Sequence, residues 1–365
     1  LSAAYNLAPE QGWVPLLGKK LQASHPGWTV ANASISGETT AGGRARFAAA
    51  LEQFKLIAAD LGAEVLRLDR ATDVARGSGT FPASPFASLD RNRLSAGIDL
   101  KHPEAAETVL RLCEHADVIL EGFRPGVAER LGVGPDDVAK RNPRVVYGRM
   151  TGWGQDGPMS QEPGHDINYI ALAGVLAHIG TEGGPPVPPI NLIGDFGGGG
   201  LLLAFGVLAA LLERATSGIG QVVDAAMVDG SAMLMSTFVG MSAMGFWSDE
   251  RGTNMLDGGA HFYGVYETSD KAWISIAAYE PKFYAEFVSL MTPLGIDLDV
   301  STQMEQGRWP EWKNALSAIF ATRSRDAWGE FFEGHEVCFA PVLTMNEARK
   351  HPHNVARSTF VEVEG

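Results

Sequence analysis

Three short strings place acid–base side chains where the chain turns. PGHDINY carries His165 and Asp166, LIGDFGGGG carries Asp195, and AAYEPKFY carries Glu280. Each lies in or beside a Gly/Pro-rich stretch, so each is a candidate for general acid–base work on a bound substrate. The same residues also read as structure. His165 would then open a helix beside a capping Asp166, and Asp195 would be the N-cap of the apolar helix behind it, where a carboxylate suits the positive helix end. The run Gly197 to Gly200 permits close backbone approach of a ligand, but it has neither the GxGxxG spacing nor the P-loop lysine. No G-x-S-x-G elbow, H-E-x-x-H or Cys/His ligand spacing occurs, which argues against an α/β-type serine hydrolase and against a zinc enzyme.

The elements that must position these residues come from the chain's alternation. AEVLRLDR, PEAAETVLRLCEHA, DVILEGF, GPDDVAKRN and RVVYGRM interleave aliphatic runs with helical patterns, the signature of βαβ units and a parallel sheet. The Gly/Pro-rich TGWGQDGPMSQEPGHDINY reads as a long loop at a strand end, where open α/β sheets take their ligands. A helix from about Ile167 to Ile179 is predicted, then an apolar helix from Leu201 to Glu213, and then a strand followed by one long Met-rich helix. The strands in VYETSDKAWISIAAYE and the helices 281–290 and 309–321 predict a smaller α+β domain.

Composition narrows the function classes. With 29 Lys and Arg against 43 Asp and Glu the net charge is −14 and no basic stripe stands out, so nucleic acid is not an expected partner. The longest apolar run, Leu201 to Leu212, is too short for a membrane span of about 18 residues or more. Two cysteines, Cys113 and Cys338, give no disulfide framework, and no signal-peptide pattern opens the sequence, so a cytoplasmic protein is expected.

From about residue 54 to the end, the strings RNRLSAGIDLK, EGFRPGVAERLG, MTGWGQDGP, GHDINY, PVPPINLIGDFGGG, GQVVDAAMVDGS and RGTNMLDGGAHFYGVYE together resemble the α-methylacyl-CoA racemases of the family III CoA-transferase superfamily. That resemblance implies an α/β fold: a Rossmann-like large domain with a parallel sheet over 54–225, a linker with a long helix over 226–264, a smaller α+β domain over 265–347 and a return segment over 348–365. It implies epimerisation of 2-methylacyl-CoA thioesters in an interlocked homodimer, with CoA as part of the substrate and no cofactor or metal. His165 and Asp195 are implied as the two bases. Glu280 would hydrogen-bond His165 from the partner subunit, and Tyr263 would line the acyl pocket. Arg67, Arg70, Arg91, Arg124 and Arg130 stand where the family surrounds the CoA phosphates and adenine; their plain reading is surface charge. The amides of the Gly197–Gly198 turn are expected donors to a thioester oxyanion. The transferase alternative uses Asp166 as a nucleophile.

Residues 1–53 depart from that pattern. SAAYNL, GWVPLL and NASISGETTAGG resemble the start of an SGNH or GDSL-type esterase related to thioesterase I, with Gly37 matching its oxyanion-hole glycine. The esterases' nucleophilic serine would precede the residue matching Leu1, and their later Asn and Asp–His blocks are missing. An esterase and an inactive hybrid therefore stand as further alternatives. If the segment substitutes for the family's first strand, Trp28 to Ile35 should pair with Glu64 to Asp69, with SGETTAGG as the loop near CoA.

Overall fold

The computed structural model describes residues 34–35, 62–71 and 93–362. The chain divides into two compact units, 1–176 with 188–236 and 177–187 with 237–365.

The first unit is built on six strands: β1 (Ser34–Ile35), β2 (Leu66–Arg70), β3 (Leu94–Ile98), β4 (Val118–Glu121), β5 (Val146–Thr151) and β6 (Val222–Ala226). They form one sheet in the order β3-β2-β1-β4-β5-β6, with every neighbouring pair parallel. This is the doubly wound order, which reverses between β1 and β4 and opens a ligand crevice at their carboxyl ends. Ser34–Ile35 pairs with Arg67–Leu68, the partner that the alternation predicts, and Ile35 also pairs with Glu121. The remainder of Trp28 to Ile35 and the SGETTAGG loop, Gly37 included, lie outside the described residues.

Strand patterning explains the layering. Every residue of β4 and β5 is buried, as parallel strands covered on both faces must be. Val118, Leu120, Val146 and Met150 pack with Leu203, Ala204 and Val207 of helix α5 (Leu202–Ser217). The alternate residues Ile119 and Tyr147 join Val109 and Cys113 of α1 (Ala105–Cys113) and Val138 of α3 (Pro135–Arg141) on the other face. Between α1 and α3 lies the short α2 (Val127–Arg130).

Three helices differ from expectation. The predicted 167–179 helix is α4 (Asp166–Leu172) followed by a separate 3-10 turn, Leu176–His178, because Gly174 takes the left-handed conformation between them. The apolar helix starts earlier: a π-helical stretch, Leu192–Leu201, runs directly into α5. Together they make 26 residues of helix, apolar and long enough to span a bilayer, but half of its most apolar window is buried within the fold, as in a core helix. The expected single Met-rich helix is two, α6 (Met227–Leu234) and α7 (Ser236–Ala243), with Met235 closing the first through its N–H to Ala232 O.

The second unit holds the antiparallel sheet β7 (Tyr263–Glu267), β8 (Trp273–Ala277) and β9 (Phe339–Val342). Helices α8 (Pro281–Met291), α9 (Trp309–Phe320) and α10 (Arg325–Phe332) cover it. Its core is largely aromatic, with Phe262, Tyr266, Tyr284, Phe287, Phe320, Trp328 and Phe332 all buried.

Two glycines decide how the π-helix sits. A Cβ on Gly230 of α6 would stand 1.9 Å from Gly198 O, and one on Gly198 would stand 2.7 Å from Ser231 N. Gly230→Ala must therefore push the π-helix off α6. Overpacking of this kind costs about 1–3 kcal/mol. Urea unfolding should show that loss, and a variant as stable as the parent would mean that the two backbones do not touch.

Candidate active site

The loop after β5 delivers His165 to the N-cap of α4, where its backbone N–H donates to Asn168 Oδ1 at 3.0 Å and the residue is half-buried. The next residue, Asp166, turns inward and is 3% exposed. Its Oδ2 accepts the backbone N–H of Asp195 at 2.8 Å, and the Gly194 amide also donates to this carboxylate. Gly194 has to be glycine, since a Cβ there would lie 2.6 Å from Asp166 Oδ2. One hydrogen-bonded bridge thus joins the residue after His165 to Asp195, across 29 positions of sequence.

Asp195 is 1% exposed in the first turn of the π-helix. Asn191 Nδ2 donates to its Oδ2 at 2.7 Å, while its buried Oδ1 has no hydrogen-bond partner among the described residues. A buried, unpartnered carboxyl oxygen calls for a functional explanation, and an oxygen left for a substrate supplies one. Burial pushes the Asp195 carboxyl up to about 6; the Asn191 hydrogen bond opposes the rise and the neighbouring Asp166 carboxylate adds to it. Burial also raises Asp166. Asn191 escaped the sequence reading, although it stands four residues before Asp195, one helical turn away.

Gly197 and Gly198, expected in a turn with free amides, lie inside the π-helix instead. Gly198 is packed against α6, and the amides at the start of the helix point at Asp166. Glu280 is the exposed N-cap of α8, and Tyr263 begins β7, both in the second unit. Nearby in sequence, His261 is fully buried with Nε2 2.7 Å from Tyr284 Oη, and burial lowers its pKa to about 4, with Arg308 adding to the fall.

The arginines fall into separate settings. Arg67 is buried in β2 and its Nε donates to Asp69 Oδ2 at 2.6 Å. Arg70, at the end of β2, has a buried Nη2 without a partner among the described residues. Arg124 is half-buried in the loop after β4, Arg130 is exposed at the end of α2, and Arg91 lies outside the described residues. Among the described residues no group of three or more His, Cys, Asp or Glu is placed to hold a metal ion.

The sheet order matches a known fold. The profile of CoA-transferase family III covers residues 55–365. The chain belongs to that family. Among family III relatives it is 42% identical to the α-methylacyl-CoA racemase of Mus musculus over 307 residues, 84% of this chain and 77% of the mouse protein. It is equally identical to the Homo sapiens α-methylacyl-CoA racemase over 312 residues, 85% of this chain and 78% of that one. A crystal structure of Rv3272 from M. tuberculosis superposes with a TM-score of 0.68 at 28% identity, covering 90% of this chain and 86% of that one. Residues 1–53 precede the family III match.

Asp195 makes the fold's stability depend on pH in a calculable direction. Its folded pKa is raised from an ordinary 3.8 to about 6, so the folded chain keeps a proton that the unfolded chain sheds between these values. The group's contribution is fully present below about pH 4 and is lost as the pH rises through 6, about 3 kcal/mol in all. Asp195→Asn should therefore gain about that much stability relative to the parent between pH 4 and pH 7 in urea titrations. A difference that stays constant with pH would show that the carboxyl is not desolvated.

Proposed function

We propose that this protein epimerises 2-methylacyl-CoA thioesters by 1,1-proton transfer through an enolate, with His165 and Asp195 as the two bases. The observation that carries the reading is the buried Asp195, whose Oδ1 has no partner among the described residues and whose amide is tied to Asp166, the residue that follows His165. Relatives named α-methylacyl-CoA racemase at 42% identity support the same substrate class.

The physical demand is severe. An α-proton of a thioester is less acidic than an imidazolium by roughly 13 pKa units, so an unstabilised enolate lies ~18 kcal/mol uphill. Racemisation needs one group to take the proton from one face and a second, already protonated, to return one to the other. A carboxyl raised to about 6 suits the second role, because it lies close to the ordinary imidazole value of about 6.5.

The reading includes a homodimer in a reducing compartment such as the cytoplasm, with Glu280 of the partner subunit orienting His165, Tyr263 along the acyl chain, and Arg70, Arg91, Arg124 and Arg130 around CoA. Family transfer chemistry would use the Asp166 carboxylate as nucleophile, whereas here that carboxylate already accepts the Asp195 amide. The esterase reading rests on residues 1–53, of which the structure describes only 34–35, and the pairing of Ser34–Ile35 between β2 and β4 favours a completed sheet over a broken hybrid.

His165→Ala and Asp195→Ala should each lower epimerisation of a 2-methylacyl-CoA by about 100-fold or more while the fold persists. In D2O each variant should still exchange the α-proton of one enantiomer, and the two should favour opposite enantiomers. Undiminished turnover in both variants would remove the two-base assignment.

A further inference from the structure

A buried ion network stands at the ligand end of the sheet, and neither proposed base takes part in it. Glu121 closes β4 at the point where the strand order reverses, beside Ile35 of β1 and in register with Arg149 of β5. Its side chain is 2% exposed and that of Arg149 is 8% exposed. Arg149 Nε donates to Glu121 Oε1 at 2.7 Å. Glu121 Oε2 accepts the backbone N–H of Phe123 at 2.6 Å. The other prongs of the guanidinium, Nη1 and Nη2, reach Glu129 Oε1 at 2.8 Å and Oε2 at 3.4 Å on α2.

The segment between these anchors is Gly122-Phe123-Arg124-Pro125-Gly126. It is held at its start by Glu121 and just beyond its end by Glu129, both through one guanidinium. Gly126, left-handed at φ +81°, turns it into α2, and Gln161 Nε2 donates to Pro125 O at 3.1 Å. A lone buried ion pair contributes little to stability after desolvation, so a pair that also ties down a backbone amide and a second element needs another reason. Arginine suits it, because only a planar fork reaches two carboxylates in fixed directions.

We infer that Glu121, Arg149 and Glu129 are positioning residues that hold the 122–126 loop, and Arg124 on it, in the geometry that binds CoA. The inference rests on the reading of Arg124 as a CoA ligand. None of the three touches substrate; they act by sparing the loop the ordering cost of binding.

The test uses the full chain, with free CoA as the calorimetric probe and a 2-methylacyl-CoA for kinetics. Glu129→Gln and Arg149→Lys should weaken CoA binding about tenfold and raise KM to match, with kcat within about twofold of the parent. Arg124→Ala tests the underlying reading separately and should weaken CoA at least as much. If Arg124→Ala loses affinity while Glu129→Gln and Arg149→Lys bind CoA like the parent, the positioning inference is overturned and the CoA reading stands. If Arg124→Ala itself binds CoA normally, the loop is not a CoA site and both fall. Should Arg149→Lys fail to fold, Glu129→Gln decides alone, because Glu129 is partly exposed and its loss leaves the Glu121–Arg149 pair in place. A loss confined to kcat would also refute the inference.

Discussion

The hydrogen bond from the Asp195 amide to the Asp166 carboxylate is the constraint around which the first unit is arranged. It ties the loop after β5 to the start of the π-helix and buries both carboxyl groups. Backbone amides at the start of a helix need acceptors, and a carboxylate is the strongest that a side chain can offer. By taking that place, Asp166 leaves Asp195 to Asn191 on one oxygen and to no described partner on the other. Desolvation then raises Asp195 toward neutrality, which a carboxyl needs if it is to give up and regain a proton at physiological pH.

That bond requires close backbone packing around it. Glycine at 194 leaves room for the Asp166 carboxylate, and glycines at 198 and 230 let the π-helix lie against α6. The wider helix closes each hydrogen bond over five residues where an α-helix uses four, a form that recurs at functional sites. Here it sets Asp195 on the side that faces Asp166 while α5 continues across β5 and β6 as a core helix.

The sheet sets a second, parallel condition. Its order reverses between β1 and β4, so the segment ahead of residue 55 supplies a central strand even though the family match begins only there. An empty slot at that position would leave β2 and β4 with unpaired backbone groups in the middle of a buried sheet. Beside that slot, Glu121 and Arg149 lie buried side by side; burial raises the Glu121 carboxyl to about 7 against the opposing Arg149 charge, and every prong and oxygen named in the network has a partner.

The sequence by itself determined the alternation of strands and helices, the parallel sheet, the smaller α+β unit and the strings that hold His165, Asp166, Asp195 and Glu280. Those features follow from local periodicity and turn chemistry, which act over a few residues. It did not reveal that the glycine run is π-helical, that the Met-rich stretch breaks at Met235, or that Arg67 turns to Asp69 within its own strand. Nor could it say that Asp166 accepts the Asp195 amide, or that Glu121, Arg149 and Glu129 share one guanidinium. These are contacts between residues 20 to 29 positions apart. Only the tertiary structure decided them, because burial and strand register determine which side chains lose water together, and that loss fixes both their pairing and their protonation.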